Sequence, residues 1–220
     1  RMTLPSDLKA RVLDAAKREP SPTREEHQKK TMQIALAGIV GALIVFLGTG
    51  GPDMGQRSAS FYATSFALLA AMSIIVTVLS LGVFKKSMTG APTDTLVVIA
   101  LAAAPAVWGI ELALRTIWPQ NYGHPATLQS TVICFLCTMG MALGPMLALL
   151  RVRRFTDAVH PAALGAAFGA SAGAWGAVLI DLHCASNDLA HIAWAHALPV
   201  LLLAGAGALI GKKLLAPKAA

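Results

Sequence analysis

Apolar residues in this chain come in blocks about as long as a bilayer is thick, which restricts the fold more than any other feature. Crossing a hydrocarbon core of about 30 Å takes about 20 helical residues. Six blocks approach that length: 32–48, 60–84, 95–118, 128–150, 162–182 and 192–211. They are continuous rather than alternating, so each reads as a helix. The expected fold is an all-α polytopic membrane protein, a six-transmembrane-helix bundle behind a short cytosolic N-terminal amphipathic helix. Composition agrees, with 55% hydrophobic and 13% charged residues in 220, far from an ordinary soluble domain.

The formal charge of +7 does not make this a nucleic-acid-binding chain, because no basic domain with interleaved aromatics exists. Instead the basic residues flank the apolar blocks, as Lys85-Lys86, Arg151-Val152-Arg153-Arg154 and Lys212-Lys213. The connections after blocks one, three and five carry Arg57 and little else. Positive charge stays on the cytoplasmic side, so six spans with both termini in the cytoplasm of a bacterial inner membrane satisfy every loop. Trp118 and Tyr122 then fall at the outer interface, where amphipathic rings collect among the lipid headgroups. No cleavable signal peptide is expected, because about thirty polar residues precede the first block.

The sequence divides into residues 1–31, a membrane domain 32–213 and a tail 214–220. In the first part Leu4, Leu8, Val12 and Ala16 recur every four residues, with charges on the other faces, which predicts an amphipathic helix. Pro20-Ser21-Pro22 stops it. Either it lies on the membrane and positions the first span, or it docks a soluble partner.

Small residues suggest how the bundle closes. Gly165, Gly169, Gly173 and Gly176 line one face of the fifth block, and Gly140/Gly144 and Gly207/Gly211 repeat the spacing. Such faces let backbones approach closely, within one bundle or between two copies of the chain.

Polar groups inside lipid are costly and call for a function. Glu111 and Arg115 stand four apart, so they can neutralise each other on one helix face or line a solute or proton path. Cys134 and Cys137 are one turn apart in block four. A polar island, 179–188, holds Asp181, His183, Cys184 and Asp188 where block five leaves the membrane, and His191 follows. Cys134 lies only about 6–9 Å below the same surface at 1.5 Å per residue, so Cys184 can meet it if the two helices are neighbours. His183, Cys184 and His191 are candidate ligands for a soft metal, though their spacing matches no established zinc pattern. No nucleophile with a matched base and no catalytic or nucleotide-binding motif is apparent, so neither an enzyme nor a cofactor is expected.

His160-Pro161, the glycine-rich fifth block, the Leu182-His183-Cys184 exit, Trp194, Pro199 and the closing Gly-x-x-x-Gly-Lys-Lys resemble the six-span membrane anti-sigma factors of the NrsF type. The chain is also similar to the light-controlled anti-sigma factors of myxobacteria. The resemblance implies a cytosolic front end that holds an extracytoplasmic-function sigma factor and releases it on a redox, metal or light-derived signal. Leu4, Leu8, Val12, Leu13 and Ala16 would then form the sigma-binding stripe. By position, Cys134 or Cys137 and the His183-Cys184 exit match the family's signal-sensing cysteines. The His-x-x-x-Cys-x-x-Cys zinc signature of another anti-sigma class is absent. The alternative reading is a small transporter using Glu111, Arg115 and the outer histidines.

Overall fold

In the described residues regular structure is entirely helical. The computed structural model describes residue 14 and residues 24–52, 57–81, 93–118, 126–153 and 158–216. The expected sigma-binding stripe, Lys85-Lys86, Tyr122 and Arg154 lie outside them. The chain divides into two units, Arg1–Gln33 and Ile34–Ala220, and the bundle and site below belong to the second.

Helix α1 spans Arg24–Gly48, α2 Ala59–Leu81, α3 Thr93–Ile117, α4 Leu128–Arg153 and α5 Pro161–His183. A last long helix is composite. It begins as α6 (Leu189–Ile192), widens into a π-helical turn at Ala193–Ala197 and continues as α7 (Leu198–Leu214). Five helices are long and apolar enough to cross a membrane, α2, α3, α4, α5 and the composite helix 189–214. The sixth apolar helical stretch, Leu36–Gly48 in α1, is shorter, because Glu26, Lys29 and Lys30 occupy the earlier turns. The architecture is that of a multi-pass membrane protein.

Local chemistry sets the helix ends. After Gly48 the backbone turns through Gly50 (φ 111°) and Gly51 (φ 70°), conformations that a Cβ opposes. Gly51 N donates to Phe46 O and Gly50 N to Leu47 O, the paired bonds of a Schellman stop. At the start of α4, Ser130 N donates to Thr127 Oγ1 at 3.1 Å and Thr127 N to Ser130 Oγ at 2.9 Å, a reciprocal cap. Pro161 opens α5 at a position where no N–H is needed. Asp188 caps α6 through Ala190 N at 2.9 Å.

Helix α5 is the axis of the bundle. Over its most apolar stretch 72% is buried, against 28–50% in the other spanning helices, and α2, α3, α4 and α7 all pack on it. Its small side chains permit this. A methyl group on Gly165 would collide with Gly207 O, and one on Gly169 with Leu203 O, so α5 and α7 meet backbone to backbone. Gly144 serves α4 in the same way, lying against the backbone of Gly38, whereas Gly140 makes only ordinary contact with Val45. The glycine faces expected from sequence are thus used inside one chain.

The outward surface is apolar and the interior is partly polar, the reverse of a soluble fold. Ile44, Leu47, Leu101, Leu136 and Leu209 are exposed, while Ser65, Ser73, Glu111, Thr138, Ser171 and His196 are buried. Serine and threonine stitch the helices together: Thr77 Oγ1 lies 2.6 Å from Ser171 Oγ and accepts from Trp175 Nε1 at 3.1 Å.

Candidate functional site: a thiol pair beside a buried ion network

Two polar clusters sit together at the end of the bundle where α5 finishes. The first is ionic. Arg115 pairs with Glu111 one turn earlier on α3, as the i, i+4 spacing predicts. The partnership does not stop there. Arg115 Nη2 reaches Asp181 Oδ1 on α5 at 3.3 Å, and Arg57 Nη1 approaches the same oxygen at 3.5 Å. Ser65 of α2 donates to Asp181 Oδ2, and His196 Nδ1 stands 3.3 Å from Glu111 Oε1. Glu111, Asp181 and His196 are at most 1% exposed, and Arg57 and Arg115 no more than 8%.

Two guanidiniums oppose two carboxylates, so the formal charges cancel. That balance is what makes such burial tolerable in a low dielectric. The arginines also lie over the Phe61 ring, at 4.8 and 5.8 Å from its centroid. Both donate to Ser186 O in the loop after α5, Arg57 at 2.8 Å and Arg115 at 3.5 Å. Sequence reading placed Arg57 as a lone loop charge. Its buried role was missed because its partner Asp181 lies 124 positions away; the one available signal was a single arginine on the side otherwise poor in positive charge.

The second cluster holds the sulfurs. Cys134 of α4, Cys184 just past α5 and His191 of α6 bring their ligand atoms within 4.8 Å of one another. Cys184 Sγ is 3.2 Å from His191 Nε2, and the other ring nitrogen, Nδ1, is 3.0 Å from Thr131 Oγ1. All three cysteines are free thiols. Hydrogen bonding to Cys134, aided by His191 and His196, draws the Cys184 thiol well below its ordinary pKa against the opposing effect of burial.

A cavity of about 600 Å³ opens onto Cys134, Cys184, His183 and His191. His183 borders it but is turned toward the α1 stop, with Nδ1 2.8 Å from Gly51 O. Cys137 packs against the neighbouring apolar cluster around Met141 and Ile180. Of the expected sensing residues, the structure therefore joins Cys134 to Cys184 and adds His191, while His183 and Cys137 stand beside them. Two thiols and an imidazole suit a soft metal; the structure groups Cys134 with Cys184 and His191, in place of the expected His183.

The π-turn connects the two clusters. In a regular α-helix residues five apart are about 140° apart around the axis, which would point His191 and His196 to different faces. The wider turn brings their rings to 5.7 Å, edge to face. Thr138 Oγ1 secures it, donating within range of Ala195 O and Cys134 O, both at 2.8 Å. π-turns of this kind recur at functional positions.

A bundle of apolar helices that buries a neutralised ion network beside a thiol pair defines a polytopic membrane protein with a site at one end. The model of the NrsF family, "Negative regulator of sigma F", matches residues 15–216. The chain belongs to that family and is a negative regulator whose partner is a sigma factor. No curated protein and no solved structure matches it.

Proposed function

We propose that this chain is a membrane-bound anti-sigma factor that holds an extracytoplasmic-function sigma factor at the bacterial inner membrane and releases it when the thiol site changes state. In this reading residues 1–31 are the docking segment, with Leu4, Leu8, Val12, Leu13 and Ala16 toward the sigma factor. Residues 32–213 are the sensing bundle and 214–220 a tail, and both termini are cytoplasmic. The signal is oxidation of Cys134 and Cys184, or their capture of a soft metal together with His191.

The observation that carries this is the convergence of Cys134, Cys184 and His191 on one cavity. A route onward supports it. Cys184 is two residues from Ser186, whose carbonyl is held by both Arg57 and Arg115. A shift of the loop at Cys184 thus acts on the ion network of α2, α3 and α5, and a switch needs such an element with two arrangements.

The test uses the full-length protein and a sigma-dependent reporter. Cys134→Ser and Cys184→Ser together should keep repression and abolish induction by an oxidant or by cadmium; undiminished induction overturns the sensing role. Leu8→Asp with Val12→Asp should relieve repression and lose the sigma factor from membrane pull-downs. Retained binding overturns the docking assignment.

A further inference from the structure

The two thiols are not equivalent. We infer that Cys184 is the attacking thiol and Cys134 the resolving thiol in a two-step oxidation by an organic hydroperoxide, with His191 as the proton acceptor and Thr131 as its positioning residue. This rests on the reading of the thiol site as the sensor.

Hydrogen-bond bookkeeping assigns the roles. A threonine hydroxyl has one proton to donate. Thr131 Oγ1 is placed to give its proton to Thr127 O at 3.0 Å, just before the first turn of α4. With its proton so placed, Thr131 Oγ1 offers a lone pair to an Nδ1–H of His191 at 3.0 Å; that tautomer is the one we assign. His191 Nε2 then faces Cys184 Sγ at 3.2 Å, placed to take the thiol proton. Such a nucleophile, base and orienting group in series activates a thiol. Of the two imidazoles near Cys184, His196 is tied to Glu111 through Nδ1 and His191 is the one bonded to the sulfur; Cys134 stands within reach of the same sulfur. A sensor thiol poised beside a resolving one is the usual arrangement for reversible oxidation.

The cavity indicates the oxidant class. It measures about 600 Å³, within the range of pockets that take organic ligands. Thr127, Ser130 and Ser186 share its wall with Gly51, Ala126 and Pro52. An alkyl hydroperoxide fits this mixed lining, its polar head at Cys184.

In the first step Cys184 Sγ attacks the terminal peroxide oxygen. The S–O bond forms and the O–O bond breaks. The thiol proton passes through His191 to the departing alkoxide, giving an alcohol and Cys184 sulfenic acid. In the second, Cys134 Sγ attacks that sulfur; the S–S bond forms and hydroxide leaves with the Cys134 proton as water. Two thiols lose two electrons, and the hydroperoxide gains them.

The test uses full-length protein in membrane vesicles, treated with cumene hydroperoxide in the presence of dimedone and mapped by mass spectrometry. The wild type should yield a Cys134–Cys184 disulfide. Cys134→Ser should accumulate a dimedone adduct on Cys184, and Cys184→Ser should give no adduct on Cys134. His191→Gln should slow adduct formation roughly a hundredfold or more. Thr131→Val should slow it and displace its pH profile, with Thr131→Ser restoring both; that rescue separates positioning from general damage to the fold. An adduct on Cys134 in Cys184→Ser at the wild-type rate reverses the roles and overturns the inference, as does reaction with hydrogen peroxide but not cumene hydroperoxide. Sigma release from the same vesicles is scored separately. Chemistry as described without release sinks the sensor reading alone; release with the roles reversed sinks this inference alone.

Discussion

The α5–α7 seam and the ion network around Asp181 are both buried, and they hold helices together by opposite means. At the seam, Gly165, Gly169 and Gly207 omit side chains so that backbones touch. At the network, Arg57, Glu111, Arg115 and Asp181 fill the space with charge, and His196 packs against Glu111. Backbone contact has one arrangement, since dispersion is lost within a fraction of an ångström. The ion network has spare capacity: among the described residues, Arg57 Nε and Arg115 Nε are buried side-chain nitrogens without a partner. A close-packed seam makes a fixed axis, and an under-satisfied network beside a loop makes a part that can rearrange.

The largest effect should come from breaking the seam. Gly169→Leu would force its side chain into Leu203 O, where no flexible group can yield, and should cost about 3 kcal/mol or more. Loss of the folded bundle by thermal unfolding in detergent checks this, and a wild-type melting curve would overturn the picture of a rigid axis. Next in size, Asp181→Ala leaves Arg57 and Arg115 with one carboxylate between them and should cost about 3–5 kcal/mol, read in the same assay. A smaller change sharpens the link between the clusters. Thr138→Val removes the hydroxyl that meets Ala195 O at the π-turn and should cost about 1–2 kcal/mol, while altering the rate at which Cys184 is alkylated. Leu209→Ala, at an outward position 71% exposed, should shift stability by less than about 0.5 kcal/mol. It also serves as the control for the other three.

Much of the fold was legible because membrane helices are local objects. The apolar blocks 60–84, 95–118, 128–150 and 162–182 match α2 to α5 within a few residues, and the Glu111–Arg115 pair follows from one turn of helix. The first block was harder to delimit, since α1 continues back to Arg24 through charged turns. The glycine spacing announced a tight face on α5 but not its partner, and Gly38, the partner of Gly144, carried no motif at all.

Sequence by itself determined the helical class, the extent of the spans and the residue types that would be expensive in lipid. Those follow from hydrophobic transfer and helical periodicity, which act over one or two turns. Tertiary structure alone decided that Cys184 meets Cys134 and His191, that Arg57 crosses to Asp181, and that His191 and His196 share a face. These depend on which helices are neighbours, on their rotation about their own axes and on one widened turn. An apolar segment surrounded by lipid encodes none of them until backbone contact along α5 and the pairing of buried charge select one arrangement.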